Sequence, residues 1–229
     1  MRRSLRLRRF LREQIAPLAV IILLLCSFKS AIADWNVVPS GSMNPSIVEG
    51  DRILVNKLAY GLKVPFTTWH LAHWSAPARG DVITFCSPKD GTVLVKRVVA
   101  LPGDTVAMRD EQLIVNGAAA TYGPLATSTA ADLSRLLRSK SVFASETVAG
   151  QTHAVMSTPA LPAMRNFGTL VVPQGEYFVL GDNRDNSADS RYIGSVPRDS
   201  ILGRSSRIVL SIDPESHFPR LHRTLQELK

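Results

Sequence analysis

Thr92-Val93-Leu94-Val95-Lys96-Arg97-Val98-Val99-Ala100 is the stretch on which the reading of the fold turns. It is mostly apolar and β-branched, which favours a strand. Two adjacent charges, Lys96 and Arg97, interrupt it. Successive side chains of a strand point to opposite faces, so one of these two has to face inward. An inward lysine loses its water, and its pKa falls from about 10.4 by up to several units. The competing reading is an edge strand with both charged heads in solvent.

Upstream lies Val37-Val38-Pro39-Ser40-Gly41-Ser42-Met43-Asn44-Pro45. Prolines and glycine keep this backbone out of regular helix and make a rigid, bent loop. Such a loop can hold a hydroxyl for attack; the alternative is a plain polar turn. A nucleophilic serine needs a base. The histidines are His70, His73, His153, His217 and His222, and none sits in a segment that reads as catalytic scaffold. Sequence order leaves a Ser-His-Asp triad open, because its members meet only in space. A Ser-Lys pair is favoured, since the strand offers an inward lysine whose amine would be free near neutral pH. Ser42 would attack, Lys96 would take the proton, and the Ser42 N–H with the Ser40 hydroxyl would hold the oxyanion. Ser187 is available to orient the lysine.

The rest of the chain reads as short strands between turns. Gly50-Asp51 turns into a strand at Arg52–Val55, and Arg79-Gly80-Asp81 into Val82–Phe85. Pro65 breaks the pattern between them. His70 and His73 lie three apart, but no Asp, Glu or Cys of suitable spacing joins them, so loop packing is expected there rather than a metal site. Leu113–Gly117 ends a further strand in a hairpin pair. Residues 118–165 are rich in Ala, Ser and Thr, with a short helix expected over Ala131–Lys140; they read as an inserted, looser subdomain with His153 at the surface. Strand character returns at Val171–Leu180. Gly181 to Arg191 is then dense in short polar side chains and carboxylate–guanidinium pairs, which suits a rigid support for a site. A last strand is expected over Ser205–Ser211, with a frayed basic tail from Asp213. The expected divisions are 1–33, 34–117, 118–165, 166–213 and 214–229.

The chain has 229 residues, 45% hydrophobic and 20% charged, with 27 basic against 19 acidic side chains and a net charge of +8. Six of the basic groups are Arg2, Arg3, Arg6, Arg8, Arg9 and Arg12; without them the balance is 21 to 19. The basicity is a tail rather than a nucleic-acid-binding face. Ile15–Phe28 is apolar throughout, and its fourteen residues would span about 21 Å as a helix. With Arg12 and Lys29 snorkelling and Ala31-Ile32-Ala33 extending it, the segment suits a membrane anchor, with its arginine-rich start in the cytoplasm and everything after Asp34 outside. A cleaved signal sequence is the rival reading. Cys26 and Cys86 lie on opposite sides of that boundary, so no disulfide is expected.

Taken together these stretches resemble the bacterial type I signal peptidases, or leader peptidases. The matching pieces are Pro39-Ser40-Gly41-Ser42-Met43 with Pro45, Gly50-Asp51, Lys57 to Gly61, Arg79-Gly80-Asp81, Lys96-Arg97-Val98 to Gly103-Asp104, and Gly181 to Arg191. Their order fits from about residue 35 to 205, apart from 118–165. The resemblance implies a mostly β fold: one transmembrane helix, then a β-rich catalytic domain with an inserted smaller subdomain. It implies Ser42 as nucleophile, Lys96 as general base, Ser40 in the oxyanion hole, Ser187 orienting Lys96, and Asp189 with Arg191 as a structural ion pair. Val38, Ile47, Leu94 and Val95 match positions lining shallow pockets for small side chains. Signal-peptide-bearing preproteins cut after Ala-x-Ala, the lipid bilayer and the secretion translocon are the implied partners, with no cofactor, metal or nucleic acid. The implied place is the inner membrane, with the catalytic domain on its outer side. Two departures stand out: many Gram-negative members have two membrane spans where this chain offers one, and its insert lacks their paired cysteines. A dedicated peptidase for a pilus or conjugation system, and a non-catalytic anchored peptide-binding protein, are the alternatives.

Overall fold

The computed structural model describes residues 11–64, 67 and 69–228. Arg2, Arg3, Arg6, Arg8, Arg9, Pro65 and the side chain of Arg12 lie outside the described residues. The first element is α1 (Ala16–Ala31), entered through a wider helical turn at Leu11–Ile15. From Glu13 to Ala31 this helix runs 19 residues at a mean hydropathy of 1.8, long and apolar enough to cross a membrane. At 1.5 Å per residue that is about 28 Å, longer than the apolar run alone suggests. Its last carbonyls are capped by a lysine: Lys57 Nζ donates to the carbonyls of Lys29 and Ser30 at 2.9 and 3.3 Å.

The remaining elements are β1 (Ala33–Val37), β2 (Asp51–Asn56), β3 (Gly61–Lys63), β4 (His70–His73), β5 (Val82–Cys86), β6 (Val93–Ala100), β7 (Thr105–Arg109), β8 (Gln112–Val115), β9 (Ala118–Ala119), β10 (Thr121–Gly123), α2 (Arg135–Lys140), β11 (Val142–Val148), β12 (Gln151–Ser157), β13 (Phe167–Val171), β14 (Glu176–Leu180), α3 (Ser190–Ile193), β15 (Val196–Pro197) and β16 (Ile201–Ser211). The fold is mostly β. A seven-stranded sheet runs β1-β2-β16-β5-β6-β14-β15, beside sheets ordered β13-β7-β8-β9, β10-β11-β12 and β3-β4. The large sheet curls because β16 carries register shifts where it pairs with β2 and again with β5. Each shift adds a local bend and extra twist. Gly203 sits at one of them, where a Cβ would come within 2.6 Å of the Asn56 carbonyl.

β6 is not an edge strand. It lies between β5 and β14 in the sheet, and apolar clusters bury both of its faces. Ile83, Phe85, Val98 and Val179 pack in one cluster, and Val99, Val106, Leu113, Phe178 and Leu180 in another. Alternation therefore buries both charges: Lys96 is 2% exposed and Arg97 1%.

Three further expectations are corrected. Residues 70–73 form a strand, β4, paired with β3, rather than a packed loop, and Trp69, Leu71 and Trp74 stand exposed. His153 is buried, because β12 lays it against Glu146 of β11. The tail is not frayed: Arg223 forms a buried ion pair with Asp51 at 2.7 Å, and Leu228 packs on the apolar cluster around Ile53. A buried carboxylate such as Asp51 needs a partner, and the tail supplies it.

Candidate active site

The serine loop is held at both ends. Val38 N–H donates to the Asp51 carbonyl at 2.8 Å, and Gly50 N–H donates to Val38 at 3.1 Å. After the extended Ser40 the backbone makes one tight turn at Gly41–Met43, closed by Asn44 N–H on the Gly41 carbonyl at 3.1 Å. Met43 and Ile47, 1% and 0% exposed, anchor that turn in the core. Ser42 is left at the surface of a groove, with the Ser40 hydroxyl donating to its Oγ at 3.4 Å.

Lys96 reaches the same point from β6. Its Nζ lies 2.7 Å from Ser42 Oγ and donates to the Val95 carbonyl at 2.9 Å. Burial pushes the amine down to about 8, against the pull of Asp189 and Asp182, which favour its charge. A lysine so placed exchanges its proton at ordinary pH.

The groove has a volume of about 540 Å³. Val37, Val38 and Pro39 form one wall, Val93, Leu94 and Val95 the other, and Val55, Thr84 and Leu202 lie between. Of the expected pocket residues, Val38, Leu94 and Val95 line it; Ile47 is fully buried in the cluster with Val38 and Met43 and does not. The β14 ladder joins β6 only from Arg97 onward. Among the described residues, Val93–Val95 thus have β5 on one side and no ladder partner on the other. That free strand edge borders the groove.

The polar loop after β14 packs behind Ser42 and Lys96. Asp189 and Arg191 form a two-point pair, both contacts 2.8 Å, and Asp189 also accepts from Gly181 N–H at 3.0 Å. Arg191 donates onward to the carbonyls of Arg184 and Met164 at 2.6 and 3.0 Å. Ser187 is placed beside Gly181: a Cβ on that glycine would collide with Ser187 Oγ and with the Ser42 carbonyl. Its buried hydroxyl has no hydrogen-bond partner among the described residues, and Lys96 is bonded to Ser42 and Val95 instead.

Three residues that sequence reasoning did not single out complete the setting. Asp182 pairs with Arg97, Asn183 grips the serine loop, and Arg184 pairs with Glu146. Burial alone would raise Asp182, but the Arg97 charge outweighs it and holds the carboxyl below its usual range. His153 lies 3.3 Å from Glu146, and burial pushes its pKa down, which keeps the ring neutral at ordinary pH. The first three lie in stretches already marked by charge density. Glu146 and His153 lie in an Ala/Ser/Thr-rich stretch with no local signal.

A serine hydroxyl against a dehydrated amine, in an apolar groove beside a free strand edge, fits a β-rich serine peptidase. A family model described as signal peptidase, peptidase S26, matches residues 11–210. Signal peptidase I of Pseudomonas fluorescens is 35% identical over 221 residues, 90% of this chain and 75% of its own length. That of Aquifex aeolicus is 33% identical over 251 residues, 91% of this chain and 90% of its own. Signal peptidase I V of Bacillus subtilis is 36% identical over 184 residues, 80% of this chain and 90% of its own. The chain belongs to the S26 signal peptidase family, and it is a serine peptidase, a hydrolase.

Proposed function

We propose that this protein is a membrane-anchored endopeptidase that removes N-terminal signal peptides from exported preproteins after small residues, through a Ser42–Lys96 dyad. The observation that carries the reading is the 2.7 Å contact between Ser42 Oγ and the amine of Lys96, a residue 2% exposed. The substrate lies extended in the groove and adds to the edge Val93–Val95 as a strand, its main chain bonded and its small side chains directed at Val38, Leu94 and Val95. Neutral Lys96 takes the Ser42 proton as Oγ attacks the scissile carbonyl. The negative oxygen is received by the Ser42 N–H and the Ser40 hydroxyl. As the intermediate collapses, Lys96 returns the proton to the departing amine and the acyl chain stays on Ser42. Water, losing a proton to Lys96, then attacks the ester, and Lys96 hands that proton to the departing Ser42 Oγ, which restores the serine and the neutral amine.

The helix Glu13–Ala31 anchors the chain in the inner membrane with its N-terminus in the cytoplasm, and puts the groove at the outer lipid boundary, where signal peptides leave the translocon. Residues 34–117 and 166–213 form the catalytic domain around the inserted 118–165.

Cleavage of a signal-peptide substrate in detergent by wild type, Ser42→Ala, Lys96→Ala and Lys96→Arg tests this. All three variants are expected to be inactive, Lys96→Arg because a guanidinium keeps its proton. Cleavage by Lys96→Arg would remove the amine from the mechanism. Full function in Ser42→Ala would favour a peptide-binding role.

A further inference from the structure

We infer that the Asn183 carboxamide is a positioning residue for the oxyanion-binding peptide, holding the Gly41 carbonyl so that the Ser42 N–H presents to the groove. The inference rests on the Ser42 nucleophile of the proposed function and adds a residue to it. Asn183 is 2% exposed and does not line the groove; Ser42 does. It therefore reaches the serine loop from the buried side.

It grips that loop twice. Its Nδ2 donates to the Gly41 carbonyl at 3.0 Å, and its own N–H donates to the Ser42 carbonyl at 3.1 Å. The Gly41 oxygen also accepts from Asn44 N–H, so both its lone pairs are engaged. A carbonyl oxygen only accepts, which fixes the facing atom of the carboxamide as its nitrogen. The Gly41–Ser42 peptide is planar, and in a trans peptide the N–H points opposite to the C=O. Pinning the carbonyl toward Asn183 on the inner side therefore turns the Ser42 N–H outward. That N–H lies at the start of the turn, where no earlier carbonyl of the turn is available to it. Turned that way, it can meet a developing negative charge.

Asn183 is itself immobile. Met156 of β12 receives Arg184 N–H on its carbonyl and donates its own N–H to Asp182, both at 2.8 Å. The strand thus clamps the backbone on either side of Asn183. Oxyanion donors work within a few tenths of an ångström, and loss of one costs about 10²- to 10³-fold in rate. A tilted peptide is a partial loss of that donor.

Two variants separate positioning from packing. Asn183→Asp keeps the size and the main-chain bonds but sets a carboxylate oxygen against the Gly41 oxygen; Asn183→Ala removes the donor. The readouts are kcat and KM on a signal-peptide substrate, inhibition by a peptide aldehyde that adds Ser42 Oγ across its carbonyl, and binding of uncleaved peptide in a Ser42→Ala background. Expected are a kcat lower by about 10²-fold, KM and uncleaved-peptide affinity within about twofold, and aldehyde affinity falling with kcat/KM. A kcat loss below about tenfold in both variants overturns the inference. So do equal losses in peptide binding, an unchanged aldehyde affinity, or failure of both variants to fold. Cleavage by Ser42→Ala alone would overturn the proposed function instead; an inactive Ser42→Ala with a fully active Asn183→Asp would overturn only the role of Asn183.

Discussion

Arg97 of β6 and Asp182 of the loop after β14 meet as a two-point fork, Nε to Oδ1 at 2.9 Å and Nη2 to Oδ2 at 2.7 Å, with both side chains 1% exposed. Arg97 Nη1 also donates to the Gly80 carbonyl at 2.9 Å. Strand alternation thus divides two adjacent charges between two duties. Lys96 turns to Ser42, while its neighbour ties the central strand to the loop that carries Asn183, Ser187 and Asp189.

Removing one partner of that fork strands the other charge in the interior. Arg97→Met is expected to cost about 3–5 kcal/mol, read from urea unfolding of the full chain in detergent. The double variant Arg97→Met/Asp182→Leu should recover most of the loss, since no unpaired charge then remains.

Lys96 bears the opposite relation to stability. Its pKa falls from 10.5 in the unfolded chain to about 8 in the fold, so the folded protein binds fewer protons between those values. The cost is full below pH 8 and disappears as pH rises toward 10.5. Lys96→Met should therefore melt higher than wild type at pH 7, by up to about 3 kcal/mol, and the advantage should vanish by pH 10.5. Thermal melts at the two pH values check the sign.

Both charges of β6 were legible in the sequence, their burial only in part. The period of two in Thr92–Ala100 required one inward charge, and the Pro/Gly-framed serines marked a rigid loop. It could not show that both faces of β6 are covered, because the covering side chains, Phe85, Val179 and Leu113 among them, come from distant strands. Ile47 carries the right apolar character for a pocket wall, yet the turn at Gly41–Met43 folds it inward. His153 and Arg223 look like surface residues by type; Glu146, a buried carboxylate on the paired strand β11, and Asp51, a buried carboxylate far off in sequence, draw them in. Local pattern records which residues alternate or turn, but it does not record which charges will need each other after folding.

Ser187 offers a different separation. Its hydroxyl is buried without a partner, so Ser187→Ala should leave stability unchanged or raise it by about 1 kcal/mol. If the hydroxyl steadies Lys96 during turnover, kcat/KM should fall at least about tenfold. Melting temperature and steady-state kinetics on one preparation test both halves.

The groove wall should set which side chains are admitted. Val38→Ala removes two methyl groups beside Ser42, and substrates with Val in place of Ala before the scissile bond should gain about tenfold in relative kcat/KM. Competition between the two peptides measures the ratio directly.

The dehydrated amine is most directly tested by the pH dependence of kcat/KM on a signal-peptide substrate. The rate is expected to climb with pH from 6, one proton lost per active site, and to level off above a midpoint of about 8. A rate already at its plateau at pH 6, or a midpoint near the ordinary lysine value of about 10.4, would contradict a Lys96 whose proton is loosened by burial.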